Sequence, residues 1–237
     1  MFNVILKSGK DASPRRFHPW IFSGAIKKIK TAAGQDAEPQ EGDLVRVTSN
    51  KGDFLGTGHY QNGSIAVRIL SFQDVEIDED FWTKRIKEAY ELRQQIHLTD
   101  NKSTNIYRLI HAEGDGLPGL ILDYYAGTVV VQSHSIGMHY AKDIIVKAIK
   151  NVYGDKLKAI FDKSEGTLPK TGPVQVEDHY IYQSEDFTSV GLEHGCKFKI
   201  DWENKLFNSV YTLNCEMAIT DWENTDRDQM PKRRDLL

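Results

Sequence analysis

Residues 107–124, YRLIHAEGDGLPGLILDY, decide how the rest of the chain is read. Two apolar runs, YRLIH and LILDY, flank a turn-rich centre. Short apolar runs bounded by glycine and proline fit buried strands. The glycines allow positive φ and Pro118 stiffens the chain, so the centre reads as a structured turn. Turns held between rigid strands are where functional groups concentrate. Glu113, Gly114, Asp115, Leu117, Pro118 and Gly119 are therefore candidates for lining a cleft. A general acid/base pair of Glu113 and Asp115 lacks an identifiable partner base or nucleophile.

Downstream, TVVVQSHS (128–135) is β-branched and strand-like. From Gly137 to Tyr153, Ala141, Ile144, Ile145, Ala148, Ile149 and Val152 share one helical face, and Gly154 supplies a stop. LKAIFDK and the run from Gly172 to Trp202 give further extended pieces. Residues 101–203 thus predict a small β-β-α-β-β domain. Upstream, Trp82, Ile86, Ala89 or Tyr90, Arg93 and Ile96 follow helical spacing behind a candidate N-cap, Asp78. That segment, 74–100, reads as a linker helix. Residues 1–73 alternate apolar runs (FNVILK, DLVRVTS, FLGTGHY, IAVRILS) with turn chemistry such as NKG and QNG, and a small barrel is the natural closure. Residues 204–237 resist assignment. The expected class is α+β.

The net charge of −4 argues against a protein that coats nucleic acid, but charge is unevenly spread. Within residues 1–30, Lys7, Lys10, Arg15, Arg16, Lys27, Lys28 and Lys30 face a single acid, Asp11. Such a patch on an acidic protein suits a site-specific RNA binder. Arg15 and Arg16 can grip phosphates and His18 can stack on a base, the alternative being that the arginines are merely exposed. Trp20 and Ile21 read as barrel core. The scattered histidines show no metal-ligand spacing, and two cysteines are too few for a disulfide framework or a four-ligand zinc site. No metal is expected, and a reducing cytoplasm fits the cysteine usage. No run approaches the roughly 18 apolar residues of a membrane span. No GxGxxG or GxxxxGK[ST] pattern occurs. A doubly wound cofactor domain needs roughly 100 residues or more, so a Rossmann-like catalytic domain is expected to be absent.

Together, RRFHPWIFSGAI (15–26), GDLVRV, FLGTGHYQ and IAVRILS, EGDGLPGLILDYY (113–125), IFDKS (160–164) and GLEHGCKFKIDWE (191–203) resemble the N-terminal portion of the class I methyltransferases that make 5-methylcytosine in large-subunit ribosomal RNA. The resemblance implies a PUA barrel that binds RNA and a central domain that walls an active-site cleft. It implies RNA contacts at Arg15, Arg16, His18, Lys27 and Lys28, and places the loop Glu113–Gly119 and Lys163 at the cleft. It also implies S-adenosylmethionine for the intact family, a ribosomal RNA partner, no membrane, and room for a homodimer. The family's cofactor glycines and catalytic cysteine have no counterpart after Trp202. The chain is therefore expected to be a truncated form with no catalytic residues and no cofactor of its own. A stand-alone RNA-binding module, the product of an interrupted gene and a protein-interaction domain are the alternatives.

Overall fold

The computed structural model describes residues 1–169, 174–187, 190–200 and 202. The expected tail, 204–237, lies outside the described residues. The first sheet holds β1 (Phe2–Leu6), β2 (Trp20–Phe22), β3 (Ile26–Lys30), β4 (Leu44–Thr48), β5 (Phe54–Tyr60) and β6 (Ile65–Ser71). Their order is β2-β6-β5-β4-β1-β3, antiparallel except for the β1/β4 pair. Alternation sends Val4, Leu6, Ile21, Val45, Val47, Leu55, Val67 and Ile69 into one core. Ile21 is in that core as expected. Trp20, one residue earlier on the opposite face, is only half-buried and belongs to a different environment.

Helix α1 (Glu79–Gln95) follows, and Asp78 caps it by accepting a hydrogen bond from the Phe81 amide at 2.9 Å. The second sheet holds β7 (Ile106–His111), β8 (Leu120–Tyr125), β9 (Thr128–Ser133), β10 (Ala159–Asp162) and β11 (His179–Gln183), in the order β11-β10-β9-β8-β7. The helical stretch divides at Ala141 into α2 (Ile136–Tyr140) and α3 (Lys142–Tyr153). A hairpin of β12 (Val190–Glu193) and β13 (Cys196–Lys199) ends the described structure.

This second sheet corrects the expected fold class. β9 and β10 are parallel, while their other neighbours run antiparallel. Parallel strands cannot be joined by a tight turn, so α2 and α3 carry the chain across as a βαβ crossover. Crossovers of this kind build Rossmann-like sheets. The architecture is therefore a mixed α/β sheet, and the expectation that nothing Rossmann-like is present does not hold. Apolar faces of α1 (Phe81, Trp82, Ile86, Ala89) and α3 (Ile145, Ala148, Ile149) cover one side of it. On the other side Ile200 and Trp202 pack with Val130 and Phe161, with Tyr125, Tyr180 and Phe187 around them.

One row of side chains joins the two sheets. Trp20 pairs with Arg68, Arg68 with His59, and His59 with Leu44 across β2, β6, β5 and β4. Residues directly opposite one another share a face of a sheet, and this face turns toward the second sheet. Leu44 packs on the second sheet's core. His59 stacks on Trp82 with ring centroids 6.4 Å apart and planes inclined by 19°. It also covers Gly137, where an added Cβ would lie 2.2 Å from the imidazole. Only glycine lets α2 approach this closely.

Burial, then the Arg68 charge, push the His59 imidazole down to about 4. The unfolded chain takes up a proton near pH 6.5 that the folded chain refuses until about pH 4. Acid therefore favours unfolding between those values. The contribution is complete above about pH 6.5 and falls by up to about 3 kcal/mol as the pH drops through this window. Thermal unfolding from pH 7.5 to 4.5 should show that loss, and His59→Phe should flatten the curve across it.

Candidate nucleic-acid interface

Where this row of side chains on the first sheet leaves the buried interface it opens a cleft of about 210 Å³. Trp20 and Arg68 form the wall on the first sheet; Ala112, Glu113, Gly119, Ile121 and His134 form the wall on the second. The Trp20 indole donates to Glu113 Oε1 at 2.8 Å, closing one end. His18 and Phe22 meet the Trp20 ring edge to face, at 5.7 and 6.4 Å.

The 112–119 turn owes its shape to a second contact. Arg93, in the last turn of α1, donates to both carboxylate oxygens of Asp115 at 2.5 and 2.7 Å and to the Arg108 carbonyl at 3.0 Å. The His111 amide also donates to Asp115, at 2.6 Å. The two charged side chains are only 10% and 8% exposed. Burial alone would raise the Asp115 carboxyl, but the Arg93 and His111 hydrogen bonds and charges outweigh it and hold the group below its ordinary value. Beyond this anchor, Ala112 takes a φ of 42°, and Gly119 a φ of 88° with Ser135 Oγ 2.9 Å from where a Cβ would stand. The first is an uncommon conformation for a residue with a side chain. The second requires glycine.

The structure thus sorts the expected cleft residues. Glu113 and Gly119 line the cleft. Gly114 is exposed beside them, and Pro118 is buried. Asp115 is a structural ion-pair partner, and Leu117 is fully buried in the sheet's core. Lys163 follows β10, half-buried, with its amide donating to the Val131 carbonyl at 2.8 Å.

The N-terminal cations are also sorted. Arg15 pairs with Asp11 at 2.8 Å and with Asp53 at 2.5 Å, so carboxylates already engage it. The hydrogen bond from Arg15 is the main cause holding each of these carboxyls below its ordinary value. Arg16 is exposed, with Nε donating to the Ala12 carbonyl at 3.3 Å. Lys27 reaches Asn50 Oδ1 at 2.8 Å, and Lys28 is exposed on the same strand. His18 Nδ1 accepts from the Trp20 amide at 3.2 Å.

Sequence reasoning missed Arg68 and His134. Arg68 stands in the apolar run IAVRILS, where a lone charge in a buried strand is itself a signal. It donates to Gln61 Oε1 at 3.2 Å and makes no ion pair among the described residues. Burial pushes its guanidinium below the ordinary value, with Glu113 opposing. His134 sits at the rim, pushed down by desolvation and then by the Arg108 charge. Among the described residues no cluster of His, Cys, Asp or Glu could hold a metal ion. None of the described helices is long and apolar enough to cross a membrane.

Residues 4–72 match the PUA-like domain family. The chain is similar to ribosomal RNA large-subunit methyltransferases. It is 32% identical over 201 residues to ribosomal RNA large subunit methyltransferase I of Erwinia tasmaniensis, covering 84% of this chain and 48% of that protein. The chain spans about half the length of the curated relatives it matches. A solved chain from Streptococcus mutans, assigned as a SAM-dependent methyltransferase, shares the fold over 84% of this chain and 48% of its own, with a TM-score of 0.65 and 19% identity. A methyltransferase-assigned chain solved with SAH aligns with the same TM-score of 0.65 and 19% identity, over 84% of this chain and 47% of its own.

These likenesses complete the fold correction, since two solved chains assigned as methyltransferases share the fold over 84% of this chain. They also overturn the expectation that no cofactor concerns this chain, because a chain of the same fold is solved with SAH. In open α/β sheets a ligand sits beyond the carboxyl ends of parallel strands. Here the polar groups at the ends of β9 and β10 pair with one another. Ser164 Oγ accepts from the Ser133 amide at 3.0 Å and donates to Asp162, Thr167 Oγ1 donates to the Ser133 carbonyl at 2.7 Å, and Lys142 reaches Asp162 at 2.6 Å. These side chains hold one another at the strand ends, and no step below is routed through a cofactor.

Removing one partner of a buried pair leaves the other charge uncompensated, at about 3–5 kcal/mol. Arg93→Met should lower stability in urea by about that much. Combining it with Asp115→Leu should cost clearly less than the sum of the two single changes. Additive losses would show that the pair does not act as one unit.

Proposed function

We propose that this chain is an RNA-engaging part of a SAM-dependent ribosomal RNA (cytosine-5) methyltransferase, acting on large-subunit RNA in the cytoplasm. The observation that carries the reading is the cleft between the PUA-like domain and the mixed sheet, where an indole, a carboxylate and a guanidinium with no ion-pair partner among the described residues converge. RNA is read mainly through unstacked bases placed on aromatic side chains and hydrogen-bonded at their edges, with cations holding the backbone. The cleft supplies the first kind of contact. The exposed cations Arg16 and Lys28, with Lys27 and His18 beside them, supply the second. Arg15 contributes once phosphate displaces Asp11 or Asp53. S-adenosylmethionine supplies the methyl group in the family. This chain's own residues bind and orient the RNA strand.

The domain division that goes with this reading is a barrel over 1–73, a linking helix within 74–100 and a sheet domain over 101–203. Glu113, Gly114 and Gly119 face the RNA. Asp115, Leu117 and Pro118 hold the turn that presents them, and Lys163 stands at the end of β10.

Single-stranded binding loses about 0.7 in log K per log salt for each phosphate neutralised. Arg16→Ala with Lys28→Ala should therefore lower the salt slope of binding to a large-subunit RNA fragment by about 1.4. Arg15→Ala should lower it less, because its charge is already shared with two aspartates. A double variant with the wild-type slope would remove these residues from the interface.

A further inference from the structure

We propose that the groove between the first sheet and α1, lined by Phe17, Phe72, Val75 and Phe81, docks a basic protein segment carrying one apolar anchor side chain. The groove shares no lining residue with the cleft of Trp20 and Glu113. The inference therefore stands apart from the RNA-engaging reading.

Exposed apolar surface is the first observation. The groove encloses about 520 Å³, within the roughly 300–1,000 Å³ of sites that enclose a ligand. Phe81 is buried and Phe72 half-buried at its floor, while Phe17 is 72% exposed and Val75 44% exposed at its mouth. Apolar surface rimmed by polar groups marks an interaction site.

Backbone conformation is the second. Phe17 takes a φ of 61°, an outlying conformation for so bulky a residue. Its amide donates to the Pro14 carbonyl at 2.9 Å, and its ring meets Phe72 edge to face at 5.3 Å. Glycine would make the same turn without strain. A ring left mostly in water contributes little to the core. Strained residues cluster at ligand clamps, and a fixed, exposed aromatic suits an anchor site.

Charge selects the occupant. Residues 73–80, QDVEIDED, supply one rim and carry five acids. Asp74 is held by Arg46, Asp78 caps α1, and Glu79 faces Lys147 at 3.8 Å. Lys84 and Arg85 both turn to Glu88, at 3.9 and 3.6 Å, and the Arg85 guanidinium lies over the Phe81 ring. Glu76 and Asp80 are exposed and make no ion pair among the described residues. The charge left unpaired at the groove is thus acidic. It repels RNA phosphates and attracts lysine or arginine. An apolar side chain of the segment enters between Phe17, Phe72 and Phe81, and its flanking cations meet Glu76 and Asp80.

The test uses the 237-residue protein and fluorescence anisotropy with a labelled synthetic peptide of alternating lysine and serine around a central leucine. Replacing that leucine by serine should weaken binding about tenfold, and replacing the lysines by glutamate should abolish it. Phe17→Gly should weaken binding about as much as loss of the leucine, with a Tm at or above that of the wild type because the backbone is relieved. Glu76→Gln with Asp80→Asn should weaken binding and remove most of its salt dependence. A wild type indifferent to the leucine, or a Phe17→Gly protein that binds unchanged, would overturn the proposal. So would a Phe17→Gly protein that melts well below the wild type, which would assign the ring to the core. A dimer in light scattering that Phe17→Gly separates would give the groove to a second copy, and displacement of the peptide by an RNA fragment would give it to nucleic acid; either would overturn the proposal.

Discussion

The buried pair between Arg93 and Asp115 is the constraint on which the cleft depends. It joins the last turn of α1 to the turn between β7 and β8, two segments separated by 22 residues. A bidentate guanidinium–carboxylate contact fixes direction as well as distance. The carboxylate's remaining capacity is taken by the His111 amide, and the Arg93 Nε by the Arg108 carbonyl. With its lone pairs and donors so occupied, the pair avoids the usual weakness of buried ion pairs. The result is a rigid turn whose outer residues, Glu113 and Gly119, have fixed positions over the sheet.

A second constraint sets what the turn faces. The first sheet presents one cross-strand row, and each member meets a different chemistry: Leu44 an apolar core, His59 an indole and a glycine, Arg68 the cleft, Trp20 a carboxylate. The row thus passes from dry to wet along its length. At the dry end the imidazole is held neutral by burial. At the wet end polar groups remain available. A site at such a boundary combines a rigid scaffold with groups that have not used all their hydrogen bonds, which is what recognition requires.

Much of the local structure was legible in the chain. Turn triplets bounded the strands around residues 44–60, the helical spacing from Trp82 to Arg93 marked α1, and Asp78 announced its cap. The fold class was not legible, because the parallel pairing of β9 with β10 leaves no local mark: the same β-branched run serves either orientation. Nor did spacing reveal that the helical stretch breaks at Ala141, since both halves keep apolar residues on the buried face. In the site, the glycines and Glu113 stood out by composition. Asp115 looked equivalent to Glu113 in sequence, and only the position of Arg93, far away in the chain, separates the two. Trp20 was read as core because a large aromatic usually is; its strand face, set by pairing with Arg68, sends it outward.

The contrast between two arginines separates support from function. Arg93 and Arg68 are both drawn away from water, and both lie beside a carboxylate of the same turn. Arg93 meets Asp115 in a closed, bidentate pair. Arg68 feels Glu113 only at a distance, because that carboxylate is turned to the Trp20 indole. If stability alone had shaped this junction, Glu113 would close on Arg68 as Asp115 closes on Arg93, and the cleft would vanish. Holding the carboxylate on a neutral donor instead keeps acceptor and cation apart, with an aromatic wall between them. The hydrogen bond from the indole takes the place of an ion pair that so exposed a carboxylate would make at little net gain.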